Sequence, residues 1–289
     1  MTWRSARLRI LLLVIVGTII NYIARNSLGV LAPQLKHDLA ITTEQYSYIV
    51  GAFQLAYTIM QPIAGLLIDR IGLTAGFALF ALAWSLANMA HGAARGWLSL
   101  AAFRGMLGMA EAAAIPAGMK SIGEWFPDRE RSVAVGWFNA GTSLGAVIAP
   151  VLVVVVAKTW GWQSAFFVTG LFGVVFAGVW FRLYRSPAKA SYVSPAELAE
   201  IQAGQRPVPA SATTLKAIIV TPRFWAIAVP RFLAEPAWQT FSFWIPLYLA
   251  KERGMYLAHI ALFSWIPFLP ADAGCVLGGY LAPFLQKWR

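Results

Sequence analysis

The segment 97–119, WLSLAAFRGMLGMAEAAAIPAGM, is apolar and long enough to cross a lipid bilayer, yet it holds Arg104 and Glu111 near its middle. Seven residues make about two helical turns, so both side chains are expected on one helix face, roughly 10 Å apart in rise. Charges at membrane depth cost about 2.5–3.5 kcal/mol each on insertion scales, so they face a bundle interior or a watery cavity. The segment is therefore predicted to line a pathway through the membrane.

The composition of the whole chain indicates a protein with many membrane spans. Of the 289 residues, 59% are hydrophobic and 12% are charged, and the mean hydropathy of +0.63 lies far outside the range of soluble domains. The formal net charge is +11, but the basic residues are scattered over short loops without interleaved aromatic residues, so nucleic acid is not expected as a partner. The single Cys275 lies in an apolar run and is predicted to be a small structural hydrophobe.

Eight spans are predicted from length and apolar character. The first contains Arg25, and it is favoured over the alternative of a signal peptide because no small-x-small cleavage site follows. The others are predicted at 46–68, 73–90, 97–119, 133–157, 162–181, 224–250 and 258 to about 285. Outside the spans, the basic residues on the side opposite the N-terminus are only Lys36, Arg95, Lys158, Lys251 and Arg253. The positive-inside rule then places the N-terminus in the cytoplasm.

A polar loop rich in Ser, Ala and Pro separates the sixth and seventh spans. Within it, Ser194, Pro195 and Glu197 fit the start of a short surface helix, with Ser as the cap, Pro in the first turn and Glu reaching back to the cap. The predicted domains are a six-helix bundle at 1–186, a cytoplasmic linker at 187–221, and the first two helices of a C-terminal bundle at 222–289. This all-α layout is typical of a two-halved membrane transporter.

Six ionisable residues are predicted at membrane depth, where they must share pairs, water or a ligand. They are Arg25, Arg104, Arg231, Glu111, Glu235 and Asp272. Arg231 and Glu235 stand four residues apart and can pair along one helix, so structural and functional roles both remain open for them. Arg104 and Glu111 are too far apart along one helix for easy pairing, which favours a functional role.

Polar side chains recur at helical spacing on three of the spans. They are Gln54, Tyr57 and Gln61; Asn139, Thr142 and Ser143; and Glu235, Trp238, Gln239 and Ser242. One stripe alone is explained by hydrogen bonding between helices, but several stripes beside buried arginines favour a wet interior. Guanidinium groups, hydroxyls, amides and indole rings suit a hydroxylated anion, whose carboxylate an arginine fork would bind.

Other chemistry finds no support in the sequence. The three histidines, His37, His91 and His259, have no metal-site spacing, and neither a Walker loop, a nucleophile elbow nor an HExxH motif occurs. We therefore predict no catalytic residue, no metal, no cofactor and no enzyme activity. A membrane-embedded enzyme is the least favoured alternative, since the buried charges include no recognisable nucleophile and base.

Several motifs give the chain a resemblance to a known family. The motif GLLIDRIG at 65–72 resembles the loop signature of the major facilitator superfamily, with Leu73 and Thr74 in place of its usual second basic cluster. The R-x-x-x-G pattern of the fourth span is another superfamily trait, and EWFPDRERS at 124–132 is similar to the anion:cation symporter family. Three longer stretches resemble bacterial hexuronate transporters: FQLAYTIMQP at 53–62, GMAEAAAIPAG at 108–118 and PRFLAEPAW at 230–238.

The resemblance implies a twelve-span fold in two six-helix halves, which rock about a midplane site and import galacturonate and glucuronate with protons. Mapped onto this sequence, the relatives' anion-binding arginines are Arg25 and Arg104, the substrate tyrosine is Tyr57, a polar contact is Thr142, and the protonatable acid is Glu111. A cytoplasmic charge cluster that steadies one conformation maps to Asp69, Arg70, Glu130 and Arg131, with Gly65 opening its first motif.

The complete predicted site combines these residues with the polar stripes. Substrate binding is assigned to Arg25, Tyr57, Gln61, Arg104, Asn139, Thr142, Arg231 and Trp238, and proton coupling to Glu111 and Glu235. Ala24 stands where relatives carry Asp before the first-span arginine, a departure that bears on proton coupling. The chain also ends after its eighth predicted span, so a natural truncation and a partial chain both stay open.

The predicted protein is a monomeric, multi-pass transporter of the inner membrane whose partners are a sugar acid, protons and the lipid bilayer. Two other functions remain open alongside hexuronate uptake. One is a symporter for another sugar acid or organic anion, such as an aldonate or aldarate. The other is a truncated transporter fragment without activity.

Overall fold

A computed structural model describes residues 6–203, 217, 219–256, 266, 270, 273–274 and 276–281. Its helices are α1 (Ala6–Asp38), α2 (Thr43–Ile71), α3 (Leu73–Ala90), α4 (Trp97–Glu111), α5 (Ala114–Trp125), α6 (Asp128–Trp160), α7 (Trp162–Leu183), α8 (Pro195–Ala203), α9 (Pro222–Phe243) and α10 (Ile245–Arg253). Six stretches of the described chain are long and apolar enough to cross a membrane. They confirm the first six predicted spans, and several helices extend past the predicted ends.

The bundle is built from three helix pairs, α1 with α6, α2 with α4, and α3 with α7. Small residues allow the paired helices to approach closely, as is usual within membranes. A Cβ atom on Gly108 of α4 would lie 2.5 Å from the backbone oxygen of Phe53 in α2. A Cβ atom on Gly145 of α6 would lie 2.6 Å from Cβ of Tyr22 in α1. These two contacts bring the backbones of α2 and α1 next to the charged residues described below.

The fourth predicted span is not one continuous helix. Helix α4 ends at Glu111 and α5 begins at Ala114, so the prediction of a single helix over 97–119 was wrong at this point. Proline has no amide hydrogen, and its ring clashes with the carbonyl four residues earlier. Pro116 is therefore the physical cause, because its fourth preceding residue is Ala112, which lies in the break. Ala112 and Ala113 keep helical backbone angles, so Glu111 precedes a local interruption of the helical hydrogen bonding within one membrane span.

The seventh predicted span is also interrupted. The prediction was one helix over 224–250, whereas α9 ends at Phe243 and α10 begins at Ile245. Pro246 stands in the first turn of α10, a position that proline tolerates because the first amides of a helix have no intrahelical partner. The eighth predicted span, with Asp272 and Cys275, lies largely outside the described residues.

The linker helix α8 forms where the sequence predicted it and docks against the start of α1. Ser194 caps it, since the backbone N–H of Glu197 donates to the Ser194 hydroxyl at 3.2 Å. The expectation that Glu197 reaches back to its own cap was wrong. Its carboxylate instead accepts the N–H groups of Ala6 and Arg7, each at 3.2 Å. The first amides of α1 lack intrahelical partners and carry the positive end of the helix dipole, which attracts this carboxylate.

Candidate functional site

Arg25 and Glu111 form an ion pair in the interior of the bundle. Nε of Arg25 donates to Oε2 of Glu111 at 2.8 Å. The side chain of Arg25 is 7% exposed and that of Glu111 is fully buried. A single charge buried at this depth would be costly, so each group is stabilised chiefly by the other. The contact joins α1 to the end of α4 across 86 positions of sequence.

Arg104 adds a second guanidinium group to this pair. It is fully buried, and its Nη2 donates to the backbone oxygen of Arg25 at 2.8 Å. Arg104 and Glu111 thus meet the same turn of α1, one through the backbone of Arg25 and the other through its side chain. We call Arg25, Arg104 and Glu111 the charged triad. The structure brings these three predicted site residues together.

Three aromatic rings surround the guanidinium groups of the triad. The Arg25 Cζ atom lies 4.7 Å from the ring centroids of both Tyr22 and Tyr57 and 5.1 Å from that of Phe53. The Arg104 Cζ atom lies 4.5 Å from the Phe53 centroid. Such cation–π contacts contribute up to about 2 kcal/mol when the cation is desolvated. The rings hold two like charges close together where water is largely excluded.

Tyr22 and Phe53 were not among the predicted site residues. Each has a helical signal in the sequence, since Tyr22 precedes Arg25 by three residues and Phe53 precedes Tyr57 by four. Phe53 stacks on Tyr57 with a centroid distance of 5.6 Å. Apolar rings at such spacing are usual in any helical core, so the sequence alone did not distinguish these two.

The triad keeps unused hydrogen-bonding capacity. Nη2 of Arg25 and Oε1 of Glu111 are buried and have no hydrogen-bond partner among the described residues. The same holds for Oε1 of Gln54 in α2 and for both side-chain polar atoms of Asn21, one turn before Arg25. Buried polar atoms are almost always paired, so an unpaired group here suits a bound ligand, water or a proton. An arginine N–H fits a carboxylate, and a carboxylate oxygen fits a proton.

Of the other predicted binding residues in the first six spans, Gln61 is linked to the rings around the triad, whereas those on α6 show only local contacts. Gln61 donates to the Tyr57 hydroxyl at 3.4 Å, which links the stripe on α2 to the aromatic rings. The Thr142 hydroxyl donates to the backbone oxygen of Asn139 at 2.7 Å, so it bonds within its own helix. Both Asn139 and Thr142 are half-buried on α6. The structure therefore unites the α1, α2 and α4 residues more closely than those of α6.

In the seventh span, Arg231 and Glu235 form the ion pair that their spacing of four residues allows. Arg231 and Glu235 form an ion pair with 2.9 Å between Nη2 and Oε2, and the Arg231 side chain is 75% exposed. The side chain of Trp238 lies outside the described part of the structure.

The predicted cytoplasmic cluster is divided between two places. One group lies near the end of α2. Asp69 there pairs with Lys120 at 2.5 Å. Arg70 is exposed, and Gly65 faces Pro116.

The other group lies around the start of α6. Arg131 pairs there with Asp128 and donates to the backbone oxygens of Phe126 and Gly123. Glu130 there pairs with Arg7 at 3.0 Å.

Arg7 is the residue that organises this second group, and its role was not predicted. It also pairs with Glu197 and Glu200 of α8, at 3.3 and 2.7 Å.

Tyr184, directly after α7, makes a separate contact with Glu124. Burial and the Glu124 carboxylate raise the pKa of Tyr184 above its usual range. Its hydroxyl donates to Glu124 at 2.9 Å.

Comparison with known proteins identifies the class to which this fold and charged interior belong. Residues 14–289 match the family model described as "Major Facilitator Superfamily". The chain belongs to the major facilitator superfamily. It is accordingly a multi-pass membrane transporter rather than an enzyme, and the resemblance inferred from the short motifs is confirmed.

The chain is similar to transporters of known name. It is 45% identical to the "Hexuronate transporter" of Escherichia coli strain K12, over 99% of this chain and 67% of that protein. It is 46% identical to the "Galacturonate transporter" of Dickeya chrysanthemi, over 96% of this chain and 81% of that protein. A crystal structure titled as a bacterial homolog of the human lysosomal transporter Spinster shares the fold, with a TM-score of 0.76 and 19% identity. It is matched over 98% of this chain and 64% of that one.

Proposed function

We propose that the chain imports hexuronates, such as galacturonate and glucuronate, by proton symport through alternating access across the inner membrane. The observation that carries the proposal is the charged triad, in which an arginine N–H and a neighbouring carboxylate oxygen have no hydrogen-bond partner among the described residues. The identities of 45% and 46% to a hexuronate transporter and a galacturonate transporter support the substrate class. The excess of basic residues on one side supports a cytoplasmic N-terminus.

Arg25 and Arg104 bind the substrate carboxylate in this proposal. A guanidinium group can donate two parallel hydrogen bonds to a carboxylate, which gives strength and orientation together. Tyr57, Gln61, Asn139 and Thr142 supply polar contacts for the sugar hydroxyls. Arg231 and Trp238 contact the substrate from the seventh span.

Glu111 carries the proton, and Glu235 assists from the seventh span. An anion that enters a cell against an inside-negative potential climbs about 2.3 kcal/mol per charge per 100 mV. One accompanying proton cancels that charge, and two would let the potential favour uptake. A substrate carboxylate on Arg25 competes with Glu111 for the same cation. Once Glu111 loses this partner it takes up a proton, and the halves can close around a neutral site. Because Ala24 supplies no carboxyl group, Glu111 is the acid beside Arg25.

Uptake by the reconstituted chain tests the proposal. Proteoliposomes receive an imposed pH gradient and voltage, and accumulation of labelled galacturonate is measured. The Glu111→Gln variant is expected to lose gradient-driven accumulation while it keeps exchange of labelled for unlabelled substrate. Unchanged accumulation by this variant would reject the coupling role, and absence of both activities in the folded wild-type chain would reject transport.

Binding measured by thermal stabilisation separates the roles further. Arg104→Ala is expected to abolish stabilisation by galacturonate, whereas Arg95→Ala, which removes an exposed arginine far from the triad, leaves it intact. Galactonate and galactarate serve as competitors, because a "D-galactonate transporter" of Escherichia coli matches at 29% identity. Stronger competition by either than by glucuronate would shift the substrate class to aldonates or aldarates.

A further inference from the structure

A groove of about 800 Å³ runs along the outer surface between α1 and α7. Its walls are exposed apolar side chains, among them Leu12 and Val16 on α1 and Val175 and Val179 on α7. Its floor is the contact between the two helices, where a Cβ atom on Gly17 would lie 2.3 Å from Cζ of Phe176. This groove lies outside the charged triad and is not used by the proposed transport mechanism.

The length of the groove matches one leaflet of a bilayer. On α1 it extends from Arg9 to Ile20, a rise of about 16 Å at 1.5 Å per residue. The hydrocarbon core of a bilayer is about 30 Å thick, so the groove reaches from one membrane surface to about the midplane. It therefore has the dimensions of a single acyl chain inserted from the side that carries the start of α1.

The polar end of the groove is positively charged. Arg9 and Tyr192 line it there, and on the α7 side Arg182 precedes the lining residue Leu183 while Arg185 follows it by two positions. Burial raises the pKa of Tyr192, while Arg185 and Arg9 oppose that rise. Tyr192 is held in place by stacking on Trp125, with 6.0 Å between the ring centroids.

Arg9 is exposed and forms no ion pair with any residue that the structure describes. Within the described part of the chain, the nearby carboxylates of Glu197 and Glu200 on α8 pair with Arg7 instead. The segments 1–5 and 204–216 contain no Asp or Glu. An apolar groove of one-leaflet length that ends at an exposed arginine without an ion-pair partner among the described residues is complementary to a lipid with a negative headgroup.

We propose that the α1–α7 groove binds one anionic phospholipid, with its headgroup phosphate on Arg9 and an acyl chain between α1 and α7. The negative headgroup is what distinguishes this site from ordinary lipid contact around a membrane protein. Basic pockets between transmembrane helices bind anionic headgroups, and each arginine near an anionic surface contributes about fivefold to binding. The proposal is independent of the transported substrate.

Native mass spectrometry of the full chain in detergent tests the site, with dioleoylphosphatidylglycerol and dioleoylphosphatidylcholine as probes. Wild type is expected to retain phosphatidylglycerol at least about fivefold more tightly than phosphatidylcholine. Arg9→Gln should remove most of that preference, whereas Arg95→Gln, an exposed arginine at the opposite end, should preserve it. Equal retention of the two lipids by wild type, or an unchanged preference in Arg9→Gln, would overturn the proposal.

Two further arms test the groove itself. Val16→Trp and Val179→Trp fill it from opposite walls on the exposed surface, so the fold is expected to persist, as checked by circular dichroism and size exclusion. Both variants should lower phosphatidylglycerol retention severalfold, and unaltered retention would refute the acyl site. Equally strong binding of glycerophosphoglycerol, the headgroup without chains, would refute it too. Dimers that form without lipid and disappear in Val16→Trp would show that a second chain occupies the groove instead.

Discussion

Replacing both members of the Arg25–Glu111 pair should destabilise the bundle much less than the sum of the two single replacements. Breaking a buried ion pair on one side leaves an uncompensated charge and costs about 3–5 kcal/mol. Arg25→Gln and Glu111→Gln are each expected in this range, because the two side chains are 7% and 0% exposed and 2.8 Å apart. In the double variant two neutral amides face each other, so neither charge remains stranded.

The expected coupling energy between the two substitutions is about 2–3 kcal/mol, at the upper end of values for contacting residues. It is measured by a double-mutant cycle on reversible unfolding in mixed micelles, followed by tryptophan fluorescence. The Arg231–Glu235 pair gives a matched control, since its ions are 2.9 Å apart but its arginine is 75% exposed. The control cycle should yield less than about 1 kcal/mol. A coupling below about 0.5 kcal/mol for Arg25 and Glu111 would refute the view that each stabilises the other.

Two other substitutions test the packing around the site. Gly108→Ala should destabilise the protein by about 1–3 kcal/mol through overpacking against the Phe53 carbonyl. Gly105→Ala serves as the control, because its Cβ would lie 3.9 Å from the Ala52 oxygen, and it should be neutral or slightly stabilising in thermal unfolding. Equal effects of Gly105→Ala and Gly108→Ala would contradict the close contact between Gly108 and Phe53. Glu197→Ala should release α8 from the start of α1, so that limited proteolysis within 187–203 becomes severalfold faster. Glu252→Ala, at an exposed position of α10, should leave the rate of proteolysis there unchanged. Unchanged cleavage in Glu197→Ala would contradict the docking.

The charged interior could be predicted because its chemistry is unusual for its surroundings. Arginine and glutamate inside apolar spans are costly, so Arg25, Arg104 and Glu111 stood out without any knowledge of their contacts. Which arginine pairs with Glu111 could not be predicted, because that contact depends on how α1 packs against α4. The sequence also could not single out Phe53, since a phenylalanine in an apolar helix can equally pack in the bundle core or against lipid.

Two local errors have simple physical causes. The helix break after Glu111 was missed because the hydropathy of 97–119 is continuous, although Pro116 was a visible signal for it. The role of Glu197 was missed because a local cap and a distant helix start compete for the same carboxylate. The amides of Ala6 and Arg7 together with the Arg7 side chain offer more donors than the single backbone N–H of the local cap.

The position of Glu111 at the end of α4 has a mechanical consequence. Helices α4 and α5 are separated by the two residues that follow Glu111, and α4 also carries Arg104. A change in the charge of Glu111 would alter its ion pair with Arg25 of α1 directly, next to this interruption and without the involvement of other side chains. Proton uptake by Glu111 would then weaken the contact between α1 and α4 at a point where the backbone hydrogen bonding of the fourth span is already interrupted.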